Sequence, residues 1–363
     1  MKNILLLSLF KANGGIASWS RKYVETFQSD EFVLVPIDRS TGLGVDEGKN
    51  FLRRCWHGLK TLWRVQRLVK QILGSQTIDL LHATTSGGTM GTVRDYWVAR
   101  ICRTRHIPCI MHCHYGCITE YMEHGVQGWF LRKTMTMYNE VWVLDNRSAQ
   151  AMRHYPNLCS RVFVTPNSIE VSTGVELSPK KYRQVAFVAN LEPTKGLFQL
   201  IEGFMNMRSE LMELSIVGKG SPEVMKRLEE VVVGCPRIHL LGQLPNDLAV
   251  AFMKKMDILA LPTYMASEAF PISILEAMSL GILVLSTRRA AIGDMLTGLD
   301  RQPCGLFVRE QSAEDVTSAL EWCLAHPAEA DNLCARAYEK VYQCYRTEVI
   351  YQLYAEHYRT LTS

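Results

Sequence analysis

Glu268 and Glu276 are separated by seven residues, Ala-Phe-Pro-Ile-Ser-Ile-Leu. Pro271 and Ser273 suit the start of a helix. That sets Glu268 in the preceding loop and Glu276 a turn or more into the helix. Two carboxylates so placed can each accept hydrogen bonds from a pair of hydroxyls, while the helix N–H groups between them face a phosphate. Ribose and hexose both present such hydroxyls. A first-turn acid that steadies the helix, plus one surface acid, is the plainer explanation.

Lys195, in Asn190-Leu-Glu-Pro-Thr-Lys195-Gly196, stands at another strand-to-helix junction. An ammonium beside helix-terminal N–H groups puts a point charge next to a phosphate; alone, it reads as a solvated surface lysine. Gly218-Lys-Gly220 and Leu241-Gly242-Gln243-Leu244 end two further strands, with glycines that allow close backbone approach. Near the N-terminus Gly14 and Gly15 open a helix after the first strand, where their N–H groups can meet an anion. A simple tight turn explains them equally. The absence of G-x-G-x-x-G and of a Walker lysine argues against a dinucleotide site and a P-loop ATPase.

Cys109, His112, Cys113, His114 and Cys117 crowd one short stretch. On a strand, side chains alternate between faces, so Cys109 and Cys113 point one way and His112 and His114 the other. Their spacings match no structural zinc pattern, and no metal is expected. His114, nearest the following loop, is the expected functional histidine.

These residues need elements to hold them. Apolar runs at Asn3–Leu9, Glu31–Pro36, Ile78–Ala83, Ile107–Cys113, Glu140–Leu144 and Arg161–Thr165 alternate with helical patterns. The polar stretch Ser168–Lys181 reads as a linker. The pattern restarts at Arg183–Asn190, Leu211–Val217, Arg237–Leu241, Met256–Leu261, Ile282–Ser286 and Gly305–Val308. Helices at Ala313–Ala325, Ala328–Tyr345 and Glu348–Leu361 close the chain. This alternation predicts α/β architecture, two doubly wound domains with a cleft between them. Ligands of such sheets bind beyond the C-terminal strand ends.

The 363 residues, 47% hydrophobic and 21% charged, suit a globular chain of two domains. No apolar run is long enough to span a membrane, and Met1–Phe10 reads as a strand rather than a secretory signal. Eleven scattered cysteines point to reduced thiols in a cytosol. Residues 1–170 carry a net charge of +8 and the rest −4, so a basic half would meet something anionic.

The ordered set GGIA, HCHYG, TPNSI, FVANLEPTKG, IVGKG, HLLGQLP and ILALPTYMASEAFPISILEAMSLG resembles the family-four retaining glycosyltransferases of the GT-B fold. The resemblance spans nearly the whole chain. Its specific part is E-x7-E followed by Ala-Met-x-x-Gly. It implies two Rossmann-like domains facing a central cleft: an acceptor-binding domain over 1–170, with helix 347–363 crossing back onto it, and a nucleotide-sugar domain over 180–346. It also implies transfer with retention from a nucleotide diphosphate sugar, a UDP-sugar foremost, without a metal or other cofactor. Lys195, Glu268 and His114 would be catalytic: Lys195 neutralising the diphosphate, Glu268 holding the transferred sugar, His114 near the reacting carbon. Glu276 would bind the ribose, and Gln243 and Leu244 border the base. Ala269, Phe270, Pro271, Ile272 and Ser273 would lie along sugar and phosphates, with Gly14, Gly15, Asn190 and Gly218 completing the donor site. The family's usual Arg is Asn190 here, for which Arg288 or Arg289 would compensate. Its usual Gly-Gly and Glu appear as Ala290-Ala291 and Asp294.

Residues Phe51–Leu73 hold no acid. Leu52, Trp56, Leu59 and Trp63 recur at helical spacing beside Arg53, His57, Lys60, Arg64 and Arg67. Such a helix can lie on an anionic bilayer or pack its apolar stripe on the sheet. The first alternative gives an enzyme peripheral on the cytoplasmic face of the inner membrane, extending a glycan or lipid-linked acceptor in surface-polysaccharide or lipopolysaccharide assembly. A GT-B nucleotide-sugar epimerase and a non-catalytic nucleotide-sugar binder are the rivals. No nucleic-acid signature is present, and no nucleic-acid partner is expected.

Overall fold

A computed structural model describes residues 1–11, 14–40, 51–85, 88–171 and 177–363, apart from the side chains of 51–55 and 57. The chain forms two units, Met1–Asn167 with Ile350–Ser363, and Ser168–Val349.

The N-terminal unit is a parallel sheet of β1 (Lys2–Ser8), β2 (Phe32–Asp38), β3 (Leu80–Thr85), β4 (Cys109–Cys113), β5 (Glu140–Val143) and β6 (Val162–Val164), in the order β2-β1-β3-β4-β5-β6. Its helices are α1 (Gly15–Thr26), α2 (Phe51–Ser75), α3 (Thr89–Arg103), α4 (Ile118–Glu123), α5 (Gly125–Met135) and α6 (Asn146–Arg153). The near-continuous apolar run Ile4–Leu7 is wholly buried, as befits a strand covered on both faces. Alternate residues feed two cores. Leu5 and Leu7 join Val65 and Val69 of α2, Val98 and Ala99 of α3, and Leu131 of α5. Ile4 and Leu6 join Trp19 and Tyr23 of α1, with Trp142, Ile350, Tyr354 and Tyr358. The last three belong to the closing helix, Thr347–Thr362. Its Tyr358 hydroxyl lies 2.9 Å from that of Tyr23 and 2.6 Å from Nδ1 of His82.

The C-terminal unit repeats the plan with β7 (Gln184–Val188), β8 (Glu213–Val217), β9 (Ile238–Gly242), β10 (Ile258–Leu261), β11 (Leu283–Ser286) and β12 (Leu306–Phe307), ordered β12-β11-β10-β7-β8-β9 and all parallel. The helices are α7 (Leu197–Met205), α8 (Pro222–Val232), α9 (Asn246–Met253), α10 (Ile272–Ser279), α11 (Ile292–Met295), α12 (Ala313–Ala325) and α13 (Pro327–Cys344), and the closing helix is α14. Local chemistry starts several of them. Ser221 caps α8 with Pro222 at its first position, and Ser312 caps α12.

All twelve expected strands form, most of them one or two residues shorter than the apolar runs. The expected linker differs more. Within it, Ile169 pairs in parallel with Arg346, and its N–H reaches the Tyr345 carbonyl at 2.8 Å. Residues 172–176 of that stretch lie outside the described set.

The alternative in which α2 lays its Trp stripe on the sheet is overturned. Trp56 is 60% exposed and Trp63 73%, with Leu59 exposed between them. A second stripe, Val65 and Val69 with Leu68 and Ile72, packs inward instead. Lys60 lies over the Trp56 ring, 5.5 Å from its centroid, and Arg67 is exposed. Arg64 donates to the Ser40 carbonyl. The side chains of Leu52, Arg53 and His57 lie outside the described residues. No described helix is long and apolar enough to cross a membrane.

Candidate active site

In the C-terminal sheet the chain leaves β7 toward β8 and β9, then returns to add β10 on the other side of β7. The loops after β7 and β10 therefore flank the switch point, where open α/β sheets take their ligands. The first loop ends in a short 3-10 turn, Pro193–Lys195, with Gly196 at φ 80°. A Cβ on Gly196 would be driven into the carbonyl oxygen of Pro262, in the second loop, so only glycine allows this approach. Tyr264 N–H donates to the Thr194 carbonyl at 2.8 Å and stitches the loops together.

Lys195 and Glu268 meet across this junction as an ion pair, the Nζ donating to Oε2. Both side chains are largely buried, 14% and 9% exposed. The Thr263 hydroxyl adds a bond to the same carboxylate oxygen at 3.4 Å. The pair joins residues whose adjacency spacing alone does not reveal.

Glu268 is followed by Ala269 and Phe270, and then Pro271, the N-cap of α10. No side chain caps that helix start, so the N–H groups of Ile272 and Ser273 are the natural seat for an anion. Glu276 is the fifth residue of α10 and is buried. The Phe270 ring turns into the unit, edge-on to Tyr345 with centroids 5.6 Å apart. That segment thus offers a ligand its backbone rather than the Phe270 ring.

The remaining strand ends are tied into the same rim. Leu191 N–H donates to Lys219 carbonyl at 3.0 Å, Gly218 N–H to Gly242 carbonyl at 2.8 Å, and Ala291 N–H to Ala269 carbonyl at 3.2 Å. A Cβ on Gly218 would strike the Ala189 carbonyl. Asn190 and Gln243 are exposed and Leu244 half-buried. Arg288 lies over Phe307, 3.7 Å from the ring centroid. Arg289 donates Nε to the Met265 carbonyl at 3.3 Å and pairs with Glu310 at 3.7 Å. Arg289 thus braces the loop that carries Glu268. Ala290, between them and the α11 start, sits at φ 43°, a left-handed conformation that suits glycine better.

Gly14, Gly15 and His114 belong to the N-terminal unit. Gly14, at φ 119°, is the N-cap of α1 and Gly15 its first residue. His114 follows β4 and is buried against His112 and Trp19, with ring centroids at 4.0 and 4.5 Å. Burial, and then the charge of Arg39, lower its pKa to about 3. Its Nε2 has no hydrogen-bond partner among the described residues. His82 is lowered to about 3 by burial and the His114 charge, and His112 well below its usual value for the same reasons. The motif reading missed Arg39, whose only sequence signal is its place directly after a strand. Among the described residues, no group of three His, Cys, Asp or Glu side chains is arranged to hold a metal ion.

Residues 168–341 match the sequence profile of the family Glycosyl transferases group 1. The match lies within the C-terminal unit. The group 1 match contains Lys195, Glu268 and Glu276 and stops short of the final helix. A curated relative, the D-rhamnosyltransferase WbpZ of Pseudomonas aeruginosa, is 25% identical over 147 residues, 40% of this chain and 37% of that protein. The match thus spans little more than a third of the relative's length. Among solved structures, HepE of Anabaena in complex with UDP superposes with a TM-score of 0.74 at 16% identity, covering 99% of this chain and 100% of HepE. WaaB, a lipopolysaccharide outer core galactosyltransferase, gives 0.69 at 15% identity, covering 98% of each chain. The fold is the GT-B fold of glycosyltransferases.

Proposed function

We propose that the protein is a retaining glycosyltransferase that moves a sugar from a nucleotide diphosphate sugar, a UDP-sugar foremost, to a hydroxyl of a glycan or lipid-linked glycan. What supports this reading is the Lys195–Glu268 pair beside the open start of α10, in the unit that matches the group 1 family. The donor places its diphosphate on the Lys195 ammonium and the first N–H groups of α10. Its sugar hydroxyls go to Glu268 and its ribose hydroxyls to Glu276. One ligand thereby separates two charges that satisfy each other in the free protein. The bond from the anomeric carbon to the diphosphate breaks, the acceptor oxygen takes that carbon on the same face, and the acceptor proton passes to the departing diphosphate. Fixed N–H dipoles and an ammonium stabilise the charge that develops, commonly the largest contribution to such a reaction. No metal is required for that stabilisation.

The N-terminal unit is assigned the acceptor, with His114 serving the reacting centre. Exposed Trp56 and Trp63 beside Lys60 and Arg67 support docking on an anionic bilayer. This would hold the enzyme on the cytoplasmic face of the inner membrane. The likeness to WaaB, a lipopolysaccharide outer core galactosyltransferase, supports surface-polysaccharide or lipopolysaccharide assembly as the setting.

The test is incubation with a panel of nucleotide sugars and glycan acceptors in the presence of a chelator, followed by mass spectrometry and NMR. The expected result is acceptor-dependent nucleotide release, a product heavier by one sugar, and a retained anomeric configuration. Epimerisation of the donor without transfer, or binding without nucleotide release, would overturn the proposal.

A further inference from the structure

Arg39 follows β2 and is 1% exposed. Its backbone N–H donates to the Ser8 carbonyl at the end of β1, at 2.8 Å. Its Nη2 donates to the Thr84 hydroxyl of β3 at 3.1 Å. Thr84 shares a hydrogen bond with the Ser8 hydroxyl at 2.8 Å. The guanidinium therefore lies across β1 and β3, between which the N-terminal sheet reverses its strand order. This is the switch point of that unit, the counterpart of the junction where Lys195 meets Glu268.

The two charges are treated in opposite ways. Lys195 has its carboxylate; Nε and Nη1 of Arg39 have no hydrogen-bond partner among the described residues. The two carboxylates whose charge acts on Arg39 are engaged elsewhere. Asp38 accepts from the Phe10 and Ser40 N–H groups and the Ser40 hydroxyl. Asp95 takes Arg94 through two nitrogens and the Thr85 hydroxyl. Strand β4 lies on the other side of β3, and His114 at its end carries a second orphan, Nε2, at 9% exposure. A guanidinium cannot shed its charge to escape burial. Leaving its donors dry is costly, and an oxyanion removes that cost.

We propose that Arg39 and His114 form an oxyanion subsite of the N-terminal unit, which receives a phosphate or carboxylate group of the acceptor. That the ligand is an acceptor rests on the transferase reading; that the subsite takes an oxyanion does not. Nε–H and Nη1–H lie on different edges of the guanidinium, so one of them pairs with the Nη2 hydrogen that Thr84 leaves free for bidentate capture of phosphate or carboxylate, and the other donates singly. His114 supplies a further polar contact from the adjacent strand.

The experiment is a titration of the full chain with inorganic phosphate, followed by the side-chain NMR signals of His114 and by thermal melting. D-glucuronate replaces phosphate in a second arm and neutral D-glucose in a third. The His114 signal should shift saturably with phosphate or glucuronate, but not with glucose, and the stronger of the two names the acceptor's anionic group. The shift should vanish in Arg39→Met and weaken about tenfold in affinity in Arg39→Lys, which keeps the charge without the fork. Arg39→Met should melt no lower than the parent without ligand, because it removes a buried charge that leaves two of its donors without a partner. Lys195→Ala should keep the shift, which separates this subsite from the donor site. An unmoved His114 signal at millimolar anion, or the same shift in Arg39→Met, overturns the proposal. Because neither donor nor turnover is involved, loss of the subsite and loss of the transferase reading remain distinguishable.

Discussion

Lys195 and Glu268, 73 residues apart, close an ion pair over the switch point of the C-terminal sheet. The lysine arrives from the β7 loop and the glutamate from the β10 loop. The pair therefore reports directly on how those two loops are registered. Replacing Lys195 with Met strands a largely buried carboxylate, and Glu268→Gln strands the ammonium. Each change should lower stability by about 1–3 kcal/mol, with a coupling of similar size in the double-mutant cycle. Urea denaturation measures this; additive effects would mean that the pair contributes little. Lys195→Ala should also reduce turnover by about two to three orders of magnitude, as expected for loss of one stabilising donor.

Gly196 permits that pairing by letting the β7 loop pass against Pro262. Gly196→Ala combines an unfavourable φ with a backbone clash, and should cost about 2–4 kcal/mol. Ala290→Gly should act oppositely, relieving a φ of 43° for a gain of about 0.5–1 kcal/mol. Chemical denaturation of both variants checks the signs, and destabilisation by Ala290→Gly would contradict the strain.

Much of this was legible in the chain itself. Apolar runs separated by helical patterns locate every strand, because parallel strands buried on both faces leave an unmistakable run such as Ile4–Leu7. The Pro271 start of α10 follows from local rules alone. Long-range adjacency does not: nothing in the spacing of Lys195 and Glu268 says that they touch. The inward face of α2 was equally hidden, since Trp56–Leu59–Trp63 and Val65–Leu68–Val69 both fit a helical stripe. Only packing decides between them, and it favours the compact valines. Arg39 belongs to no motif, so the two nitrogens of its guanidinium left without a partner among the described residues are visible only once β1, β2 and β3 are aligned.

The N-terminal unit should be acid-labile. His82 and His114, lowered to about 3 chiefly by burial, bind protons in the unfolded chain near pH 6.5 but not in the fold. The unfolded state therefore holds more protons between those values, and stability falls as pH drops. The loss begins near pH 6.5 and continues toward pH 3, on the order of 1 kcal/mol per pH unit for each histidine. Urea denaturation at pH 7 and pH 5 measures it. Equal stability at both values would contradict the burial of neutral imidazoles.

Exposed tryptophans beside cations recur beyond α2. Trp129 lies 5.0 Å from the Lys133 ammonium and Trp97 5.3 Å from the Arg100 guanidinium, both measured to ring centroids. Serine at both Trp56 and Trp63 should reduce sedimentation with anionic liposomes several-fold and leave folding intact, since neither ring is part of the core. Unchanged sedimentation would remove α2 from any membrane contact.

The claim on which the rest depends is that a nucleotide diphosphate is held by the rim of the C-terminal sheet. Backbone hydrogen exchange of the whole protein, with and without UDP, measures this directly. Protection is expected at Asn190–Gly196, Gly218–Gly220 and Ala269–Glu276, and should weaken in Glu276→Ala. No protection in those three segments at saturating UDP, or protection confined to the N-terminal unit, would contradict it.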